Sequence, residues 1–180
     1  MTLKLDVKKI EQQALGLGFD SFGVAPVTVP MRNQKRLADF IADGQHGTMG
    51  WMETRIEQRA DPKTLWPDVR SILVLGLNYG PDSDPKKNPL ARIKEKNRAN
   101  ISIYAEHKDY HDLVKRRLKQ LGRWLVAETG CDIKVFVDTA PVLEKAIAAG
   151  SGVGWQGKHT NVVSKDFGSW LFLGEIYTTL

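Results

Sequence analysis

The feature that most constrains how this chain folds is the apolar run SILVLGL over residues 71–77. Turn-forming residues lie on both sides of it, and a short apolar run with such boundaries is typical of a buried strand. A strand that is apolar on both of its alternating faces needs cover from both sides, as layered domains provide. We therefore predict that residues 71–77 form a buried strand within layers of sheet and helix.

Helical and strand-like segments alternate along the rest of the chain. Three segments carry apolar residues at helical spacing: residues 4–18, 32–43 and 109–129. A shorter helix is predicted over residues 141–149, with Pro141 at its first position. Further strands are predicted over residues 19–25, 134–137, 160–163 and 169–177. Together these segments indicate a single domain over residues 1–180 with an α+β fold, in mixed α/β layers.

The net charge of +5 permits a polyanionic partner but does not require one. The positive residues are unevenly distributed along the chain. One group lies in a predicted polar loop: Lys86, Lys87, Arg92, Lys94, Lys96 and Arg98. Another lies in the predicted helix over 109–129: Lys115, Arg116, Arg117 and Lys119. Because basic runs are common on protein surfaces, the pattern by itself favours a solvated loop and helix face over a nucleic-acid interface.

The single cysteine, Cys131, excludes an internal disulfide and cannot hold a metal cluster by itself. The apolar runs are too short to cross a membrane, and the first residues lack the charged-then-apolar pattern of a secretion signal. These observations favour a cytoplasmic protein without a membrane partner.

The glycine-rich segment after the predicted helix over 141–149 resembles a known motif in the wrong context. Gly152, Gly154 and Gly157 match the G-x-G-x-x-G of dinucleotide-binding folds, where the glycines follow a strand and precede a helix. Here a helix is predicted before them and a strand after them, so a dinucleotide site is rejected. Together with Gly150, these glycines permit close backbone approach to a bulky, flat ligand, or simply a tight connection.

The histidines do not match the metal motifs that they resemble. His107 and His111 are spaced as in H-E-x-x-H, but Lys108 replaces the glutamate. Asp109 is expected to cap the helix, which leaves His107 outside it and His111 as an ordinary first-turn residue. The D-x-H-x-x-G motif, which supplies a histidine to the cobalt of cobalamin, is absent from the sequence.

Asp138 is the strongest candidate for chemistry, because it lies where the predicted strand over 134–137 gives way to a helix. A carboxylate at such a position is well placed to face a cleft beyond the sheet edge. Alternatively, Asp138 caps the following helix, and spacing alone favours this alternative. The two roles pull the pKa in opposite directions. A helix N-terminus favours the anion, whereas a proton donor at neutral pH needs burial against apolar surface.

Three segments near one another carry a family resemblance: residues 137–144 (VDTAPVLE), 152–161 (GVGWQGKHTN) and 168–176 (GSWLFLGEI). Together they resemble the epoxyqueuosine reductase family. Weaker segments upstream fit the same family in the same order: residues 50–52, 59–62 and 108–111. The resemblance covers nearly the whole chain.

The resemblance implies an oxidoreductase that converts epoxyqueuosine, at the wobble position of certain tRNAs, to queuosine. Its cofactors would be cobalamin and two 4Fe-4S clusters. Its cobalamin domain would be similar to that of reductive dehalogenases and, distantly, to flavin nitroreductases. Asp138 would donate the proton to the opening epoxide. Contacts to the corrinoid are implied at Arg59, Ser102, Asp138, Val162 and Leu173, with Ser102 in surroundings that depart from the family pattern.

In the family, a cysteine-rich iron–sulfur domain follows the segment that ends here at Leu180. With Cys131 as its only cysteine, the chain can hold neither cluster, so we expect a fragment or a diverged domain that is inactive alone. The partners implied are cobalamin and, through the basic residues, tRNA, and a monomer is expected. Other interpretations stay open: a cobalamin carrier, an RNA-binding module, or a flavin-dependent nitroreductase-like enzyme.

Overall fold

A four-stranded antiparallel sheet forms the centre of the fold. The computed structural model describes residues 6–80 and 93–180. The strands of the sheet are β1 (Ser21–Ala25), β2 (Ser71–Asn78), β3 (Ile133–Phe136) and β6 (Leu171–Thr178). Their order is β1-β2-β6-β3, and every neighbouring pair is antiparallel. A separate small hairpin pairs β4 (Trp155–Gln156) with β5 (Val162–Val163).

Six α-helices are present in the described residues: α1 (Val7–Gly16), α2 (Met31–Ala42), α3 (Ile56–Ala60), α4 (Pro62–Leu65), α5 (Tyr110–Thr129) and α6 (Glu144–Ser151). Gly50–Met52 and Ile103–Ala105 each form a 3-10 turn. The predicted α+β character and its mixed layers of sheet and helix are confirmed.

Helices cover both faces of the sheet. The predicted buried strand is β2, and its residues Leu73 and Leu75 face α1 and α5. Alternate residues of β2 point the other way, so Ile72 and Val74 pack in a second cluster with α6. All four are at most 2% exposed. The central strands are therefore apolar on both sides because each side is covered by helix.

Helix α5 begins and ends as the sequence predicts. The Asp109 side chain caps it by accepting a hydrogen bond from the His111 backbone N–H at 2.9 Å. The helix ends before Gly130, whose φ of 70° is the left-handed conformation that glycine adopts readily. His107 lies outside the helix, as expected. The beginning of α5 is thus fixed at Tyr110 by a local signal.

Helix α6 begins later than predicted, and this overturns one of the two roles considered for Asp138. The helix was expected over residues 141–149 but starts at Glu144, preceded by Leu143 as its N-cap residue. Residues 137–143 form a tight turn instead, in which the Val142 N–H donates to the Ala140 carbonyl oxygen. The prediction that Asp138 caps this helix is therefore wrong.

Some short elements differ from the sequence prediction. The strand expected over 160–163 is only β5, because Thr160 has a φ of 70° and its N–H closes a turn onto Gly157. Helices α3 and α4 were not predicted, although Asp61 caps α4 and Pro62 occupies its first position. The glycine-rich segment does follow a helix and precede a strand, which confirms that its context is not that of a dinucleotide site.

Within residues 6–80 and 93–180, no helix is both long and apolar enough to span a membrane. Part of the basic loop predicted from the sequence, with Lys86, Lys87 and Arg92, lies outside the described residues.

Candidate active site

The chain turns sharply after β3, and Asp138 is the residue at the turn. Asp138 has a φ of 56°, a left-handed conformation that non-glycine residues seldom adopt. The Thr139 N–H donates to the Val137 carbonyl oxygen across the turn. The Asp138 side chain is 58% exposed and reaches the beginning of α5. Strained backbone of this kind is concentrated at functional sites, which makes the turn a candidate site.

Two side chains from the first turn of α5 meet the Asp138 carboxyl group. The Tyr110 hydroxyl donates a hydrogen bond to Oδ2. The His111 Nε2 atom lies 3.6 Å from the same oxygen. The sequence pattern predicts His111 to be an ordinary first-turn helix residue and assigns no role to Tyr110. The signal that could have found both is the Asp109 cap, since it places the next two side chains at the beginning of the helix.

A column of stacked rings holds Tyr110 and His111 in place. The Tyr110 and His111 rings stack with their centres 4.2 Å apart. On its other side Tyr110 stacks on Phe172 of β6, at 3.7 Å and an angle of 5°. Phe172 in turn stacks on Tyr79, whose ring meets Trp170 edge-on. Because the column joins α5 to the central sheet, it restricts the movement of the two side chains that contact Asp138.

The protonation states of Tyr110 and Asp109 follow from their surroundings. Burial, and then the hydrogen bond to Asp138, raise the pKa of Tyr110, so its hydroxyl stays protonated and acts as a donor. Hydrogen bonds from His111 lower the pKa of Asp109, which therefore stays ionised. Asp109 Oδ1 lies 2.6 Å from His111 Nδ1. An ionised carboxylate can only accept hydrogen bonds, so His111 Nδ1 carries a proton and donates to Asp109. This hydrogen bond orients the imidazole ring so that Nε2 lies toward Asp138.

A second carboxyl group, that of Glu144, contacts the backbone of the Asp138 turn. Glu144, the first residue of α6, accepts a hydrogen bond at Oε1 from the Asp138 backbone N–H, at 2.7 Å. Burial raises the pKa of Glu144 to about 7, and the charge of Asp138 adds to this. The hydrogen bond from Asp138 and the charges of His111 and Lys145 act in the opposite direction. Glu144 therefore changes its charge close to neutral pH.

Two hollows lie beside the N-terminus of α5, and the smaller one also borders the Asp138 turn. The smaller one, of about 360 Å³, is lined by residues that include His111, Val137 and Thr139. The larger one, of about 1110 Å³, lies on the other side of the α5 N-terminus and includes Tyr104, Lys108, Tyr110, Arg116 and Phe172. Both include Asp109 in their walls. A large ligand thus has room beside the N-terminus of α5, and the smaller hollow extends this space to the Asp138 turn.

Comparison with known proteins relates the chain to one family. The sequence model described as epoxyqueuosine reductase QueG, DUF1730, matches residues 59–139. The epoxyqueuosine reductase of Xanthomonas campestris pv. campestris is 37% identical over 173 residues, which are 96% of this chain and 48% of the relative. The epoxyqueuosine reductase of Vibrio cholerae is 37% identical over 169 residues, which are 93% of this chain and 45% of the relative.

Over 93–96% of its length, the chain is similar to about half of each of these epoxyqueuosine reductases.

Solved structures of epoxyqueuosine reductases share the fold. The structure from Streptococcus thermophilus matches 98% of this chain with a TM-score of 0.83 and 27% identity, and the match covers 46% of that chain. An epoxyqueuosine reductase with a tRNA-Tyr epoxyqueuosine-modified tRNA stem loop matches 96% of this chain with a TM-score of 0.76 and 25% identity, over 44% of its own length. The chain thus spans about half the length of the family members that it matches.

The corrinoid contacts implied by the epoxyqueuosine reductase resemblance lie on several elements. Val162 of β5 and Leu173 of β6 belong to the same apolar cluster beneath α6. Arg59 lies on α3, where its guanidinium group stands 5.1 Å from the centre of the Trp51 ring. Ser102 is exposed and precedes the 3-10 turn at Ile103. The structure thus brings Val162 and Leu173 together, whereas Arg59, Ser102 and Asp138 lie on separate segments.

Proposed function

We propose that this chain forms the cobalamin-binding part of a reductase that converts epoxyqueuosine to queuosine in tRNA. The observation that carries the proposal is the Asp138 carboxyl group, held in an exposed left-handed turn against Tyr110 and His111. The similarity to epoxyqueuosine reductases suggests the substrate, since one similar structure contains an epoxyqueuosine-modified tRNA stem loop. The residues of this chain would position the substrate and deliver protons.

In this proposal Asp138 gives a proton to the epoxide oxygen. When a C–O bond of the epoxide breaks, negative charge develops on the oxygen, and an acid within hydrogen-bond distance neutralises that charge. The exposure of Asp138 lets a substrate approach its carboxyl group from solvent, and the bound substrate would then supply the burial that a proton donor needs at neutral pH. The hydrogen bond from the Tyr110 hydroxyl to Oδ2 orients the carboxyl group, and the ring column keeps that hydroxyl in place.

Reduction of the epoxide consumes two electrons and two protons, so Asp138 must regain a proton during and after each turnover. His111 Nε2, at 3.6 Å from Asp138 Oδ2, is the neighbouring group that can exchange a proton with solvent and pass it on. Asp109 holds the imidazole in the required orientation through Nδ1. Tyr110 is instead an orienting donor, because its raised pKa keeps the phenolic proton in place.

The described residues fit a corrinoid ligand. A corrinoid is a wide, largely apolar ring with amide arms, so its site needs apolar surface and a few polar partners. The Trp51 ring is 59% exposed beside Arg59. Arg59 Nε is buried and has no hydrogen-bond partner within the described residues, so a ligand amide oxygen would satisfy it. Val162 and Leu173 would add an apolar wall. When bound, cobalamin would supply the electrons that open the epoxide.

The residues of this chain do not fit an iron–sulfur cluster. A 4Fe-4S cluster is held by four cysteine thiolates, whereas the sequence contains one cysteine, Cys131, which is buried. Any cluster of the enzyme would be held by polypeptide outside these 180 residues.

Basic residues on α5 and just before it would contact tRNA phosphates. Lys108, Lys115 and Arg116 are exposed, and Lys108 and Arg116 line the larger hollow. Arg117 is used differently, because its guanidinium group donates to the Gly18 carbonyl oxygen at 2.8 Å. Phosphate contacts of this kind make the affinity for tRNA fall as the salt concentration rises.

The proposal also covers the type of domain, its location and its oligomeric state. The sheet with helices on both faces would be the nitroreductase-like cobalamin-binding domain of the family, formed as one domain by residues 1–180. It would act in the cytoplasm as a monomer, and an iron–sulfur domain would complete the enzyme.

The proposal is tested by expressing the complete gene that carries this chain in a bacterium without epoxyqueuosine reductase. Queuosine and epoxyqueuosine in tRNA are then measured by liquid chromatography and mass spectrometry. The wild type should restore queuosine, and Asp138→Asn should lower the rate by about 100-fold or more, the usual contribution of a positioned acid. Asp132→Asn is the matched control, since Asp132 is an exposed aspartate before the other end of β3.

Two outcomes would count against the proposal. A folded, cobalamin-loaded wild type that leaves epoxyqueuosine unchanged would refute the activity. Full restoration by Asp138→Asn would refute the role of Asp138 as the proton donor.

A further inference from the structure

The Glu144 carboxyl group contacts the Asp138 turn but has no part in the proton transfer described above. Glu144 accepts the Asp138 backbone N–H at 2.7 Å, six residues back along the chain. Glutamates in the first turn of a helix commonly reach back to a free N–H of the preceding segment. Here the N–H belongs to the residue proposed to be the proton donor.

The Asp138 turn needs such a partner because its backbone is strained. A non-glycine residue in the left-handed region persists only when its surroundings fix it, since the conformation is energetically unfavourable. The turn has few internal constraints: Thr139 N–H bonds to Val137, and Val142 N–H bonds to Ala140. The hydrogen bond to Glu144 ties the Asp138 backbone to the beginning of α6.

Glu144 is itself held on the α6 side of the sheet in unusual surroundings. Glu175 of β6 points to this side, is fully buried, and neither carboxyl oxygen has a hydrogen-bond partner within the described residues. Burial, and then the charge of Glu144, raise the pKa of Glu175 well above its usual value, which favours the neutral carboxyl group in the folded protein. The ionisable groups whose charge or hydrogen bonds couple to Glu144 are Asp138, His111, Lys145, Glu175, Tyr110 and Tyr177.

We infer that Glu144 is a positioning residue for Asp138: by accepting the Asp138 N–H, it holds the turn left-handed and keeps the Asp138 carboxyl group against Tyr110 and His111. The inference rests on the proposed role of Asp138 in epoxyqueuosine reduction. Glu144 acts through Asp138 and touches no substrate. Its contribution is therefore expected in kcat, not in the KM for tRNA.

The first test detects the hydrogen bond between Asp138 and Glu144 without requiring catalytic activity. The backbone amide of Asp138 is followed by NMR as a function of pH in the 180-residue chain. Its proton shift should titrate with a midpoint near the Glu144 pKa of about 7, because the bond strengthens when the acceptor ionises. The titration should disappear in Glu144→Gln and persist in His111→Gln, which removes the neighbouring imidazole. If the Asp138 amide shift depended on pH in Glu144→Gln in the same way as in the wild type, the inference would be overturned.

The second test measures kcat in the complete, cobalamin-loaded enzyme. Glu144→Leu removes the acceptor, and kcat should fall by about tenfold to 100-fold, as expected for a misplaced reacting group. Glu144→Gln keeps an acceptor oxygen and should recover most of that loss. In an Asp138→Asn background, Glu144→Leu should have little further effect, because both changes act through one group.

The outcomes separate this inference from the proposed function. Wild-type enzyme that forms no queuosine would refute the proposed function, whatever the amide of Asp138 does. Wild-type enzyme that is active, with Glu144→Leu equally active, would refute the positioning role alone. A Glu144→Leu protein with raised KM and unchanged kcat would also refute it, since that result indicates a role in binding tRNA.

Discussion

At the scale of single residues, the site depends on polar groups that form hydrogen bonds within the protein instead of with water. Tyr110 combines a ring packed between Phe172 and His111 with a hydroxyl that reaches Asp138. Such a side chain can be divided experimentally, because phenylalanine retains the ring and removes only the hydroxyl. The contribution of the hydrogen bond can therefore be measured with the stack intact.

Tyr110→Phe is expected to lower kcat for queuosine formation by about tenfold or more, since a hydrogen bond to a carboxyl group orients the proposed proton donor. The matched control is Tyr79→Phe. Tyr79 belongs to the same ring column, but its hydroxyl faces the Ser169 carbonyl oxygen at 3.4 Å, away from Asp138. Equal losses in both variants would show that the hydrogen bond to Asp138 makes no specific contribution to kcat.

What the sequence could reveal about the site depended on how local each signal was. The Asp109 cap is local and was predicted. The pairing of Tyr110 with Asp138 spans 28 residues and exists only because β3 and α5 pack together. The left-handed φ of Asp138 is equally hidden, since aspartate has no requirement for that conformation. For this reason the sequence favoured a helix cap at Asp138, which the structure contradicts.

At the scale of elements, the small hairpin of β4 and β5 is held by an unusually close approach. A Cβ atom on Gly154 would lie 2.3 Å from the Val163 carbonyl oxygen, closer than real Cβ contacts. Backbone atoms cannot move aside as the end of a flexible side chain can. The requirement for glycine here is therefore one of space, and it connects the glycine-rich segment to Val162, one of the proposed corrinoid contacts.

Gly154→Ala should destabilise the protein by about 1–3 kcal/mol, the usual range for overpacking. Gly16→Ala is the control, because a Cβ there meets nothing within 4 Å and alanine favours a helix. Urea unfolding of the two variants and the wild type gives the comparison. Similar midpoints for Gly154→Ala and the wild type would show that the hairpin is free to move apart.

Longer elements were easier to predict than short ones, for physical reasons. Helix α5 has a capping aspartate, an apolar stripe and a terminal glycine, and these local signals agree. Helix α6 has no side-chain cap, so its beginning is set by the turn at Asp138 and could not be read locally. The strand β5 has two residues and exists because it pairs with β4, which is a tertiary contact.

At the scale of the whole molecule, the buried acids make stability depend on pH. Burial raises the pKa of Glu175 in the folded state, so the folded state binds a proton that the unfolded state has released. Unfolding then releases this proton at any pH between the ordinary glutamate value and the folded one. Stability consequently falls as the pH rises through that window. Glu144 contributes in the same direction up to pH of about 7.

Glu175→Gln removes this pH-dependent contribution to stability. The stability of the variant relative to the wild type should therefore increase as the pH rises from about 4.5 toward 8. The free energy of unfolding is measured with urea at each pH. Glu128→Gln, at an exposed position of α5, is the control and should follow the wild type. A stability difference that is constant with pH would show that Glu175 ionises in the folded protein as freely as in the unfolded one.

The fold class could be predicted from the sequence, whereas the arrangement of strands could not. Alternating apolar and helical patterns gave the α+β layers. The order β1-β2-β6-β3 depends on which strands pair, and β2, β3 and β6 are all apolar enough to occupy the centre. Pairing between Ser71 and Thr178 brings together segments far apart in the chain, and no local pattern records that contact.

The central position of β6 has a consequence for how the protein folds. It lies later in the sequence than either of its neighbours, β2 and β3, and it is the strand that joins them. A ribosome must therefore deliver both neighbours before the strand between them exists, and until then each exposes an unpaired edge. Contacts that close such long loops slow folding, and unpaired edges invite association between chains. Newly made chains should accordingly be most prone to aggregate just before residues 171–178 emerge.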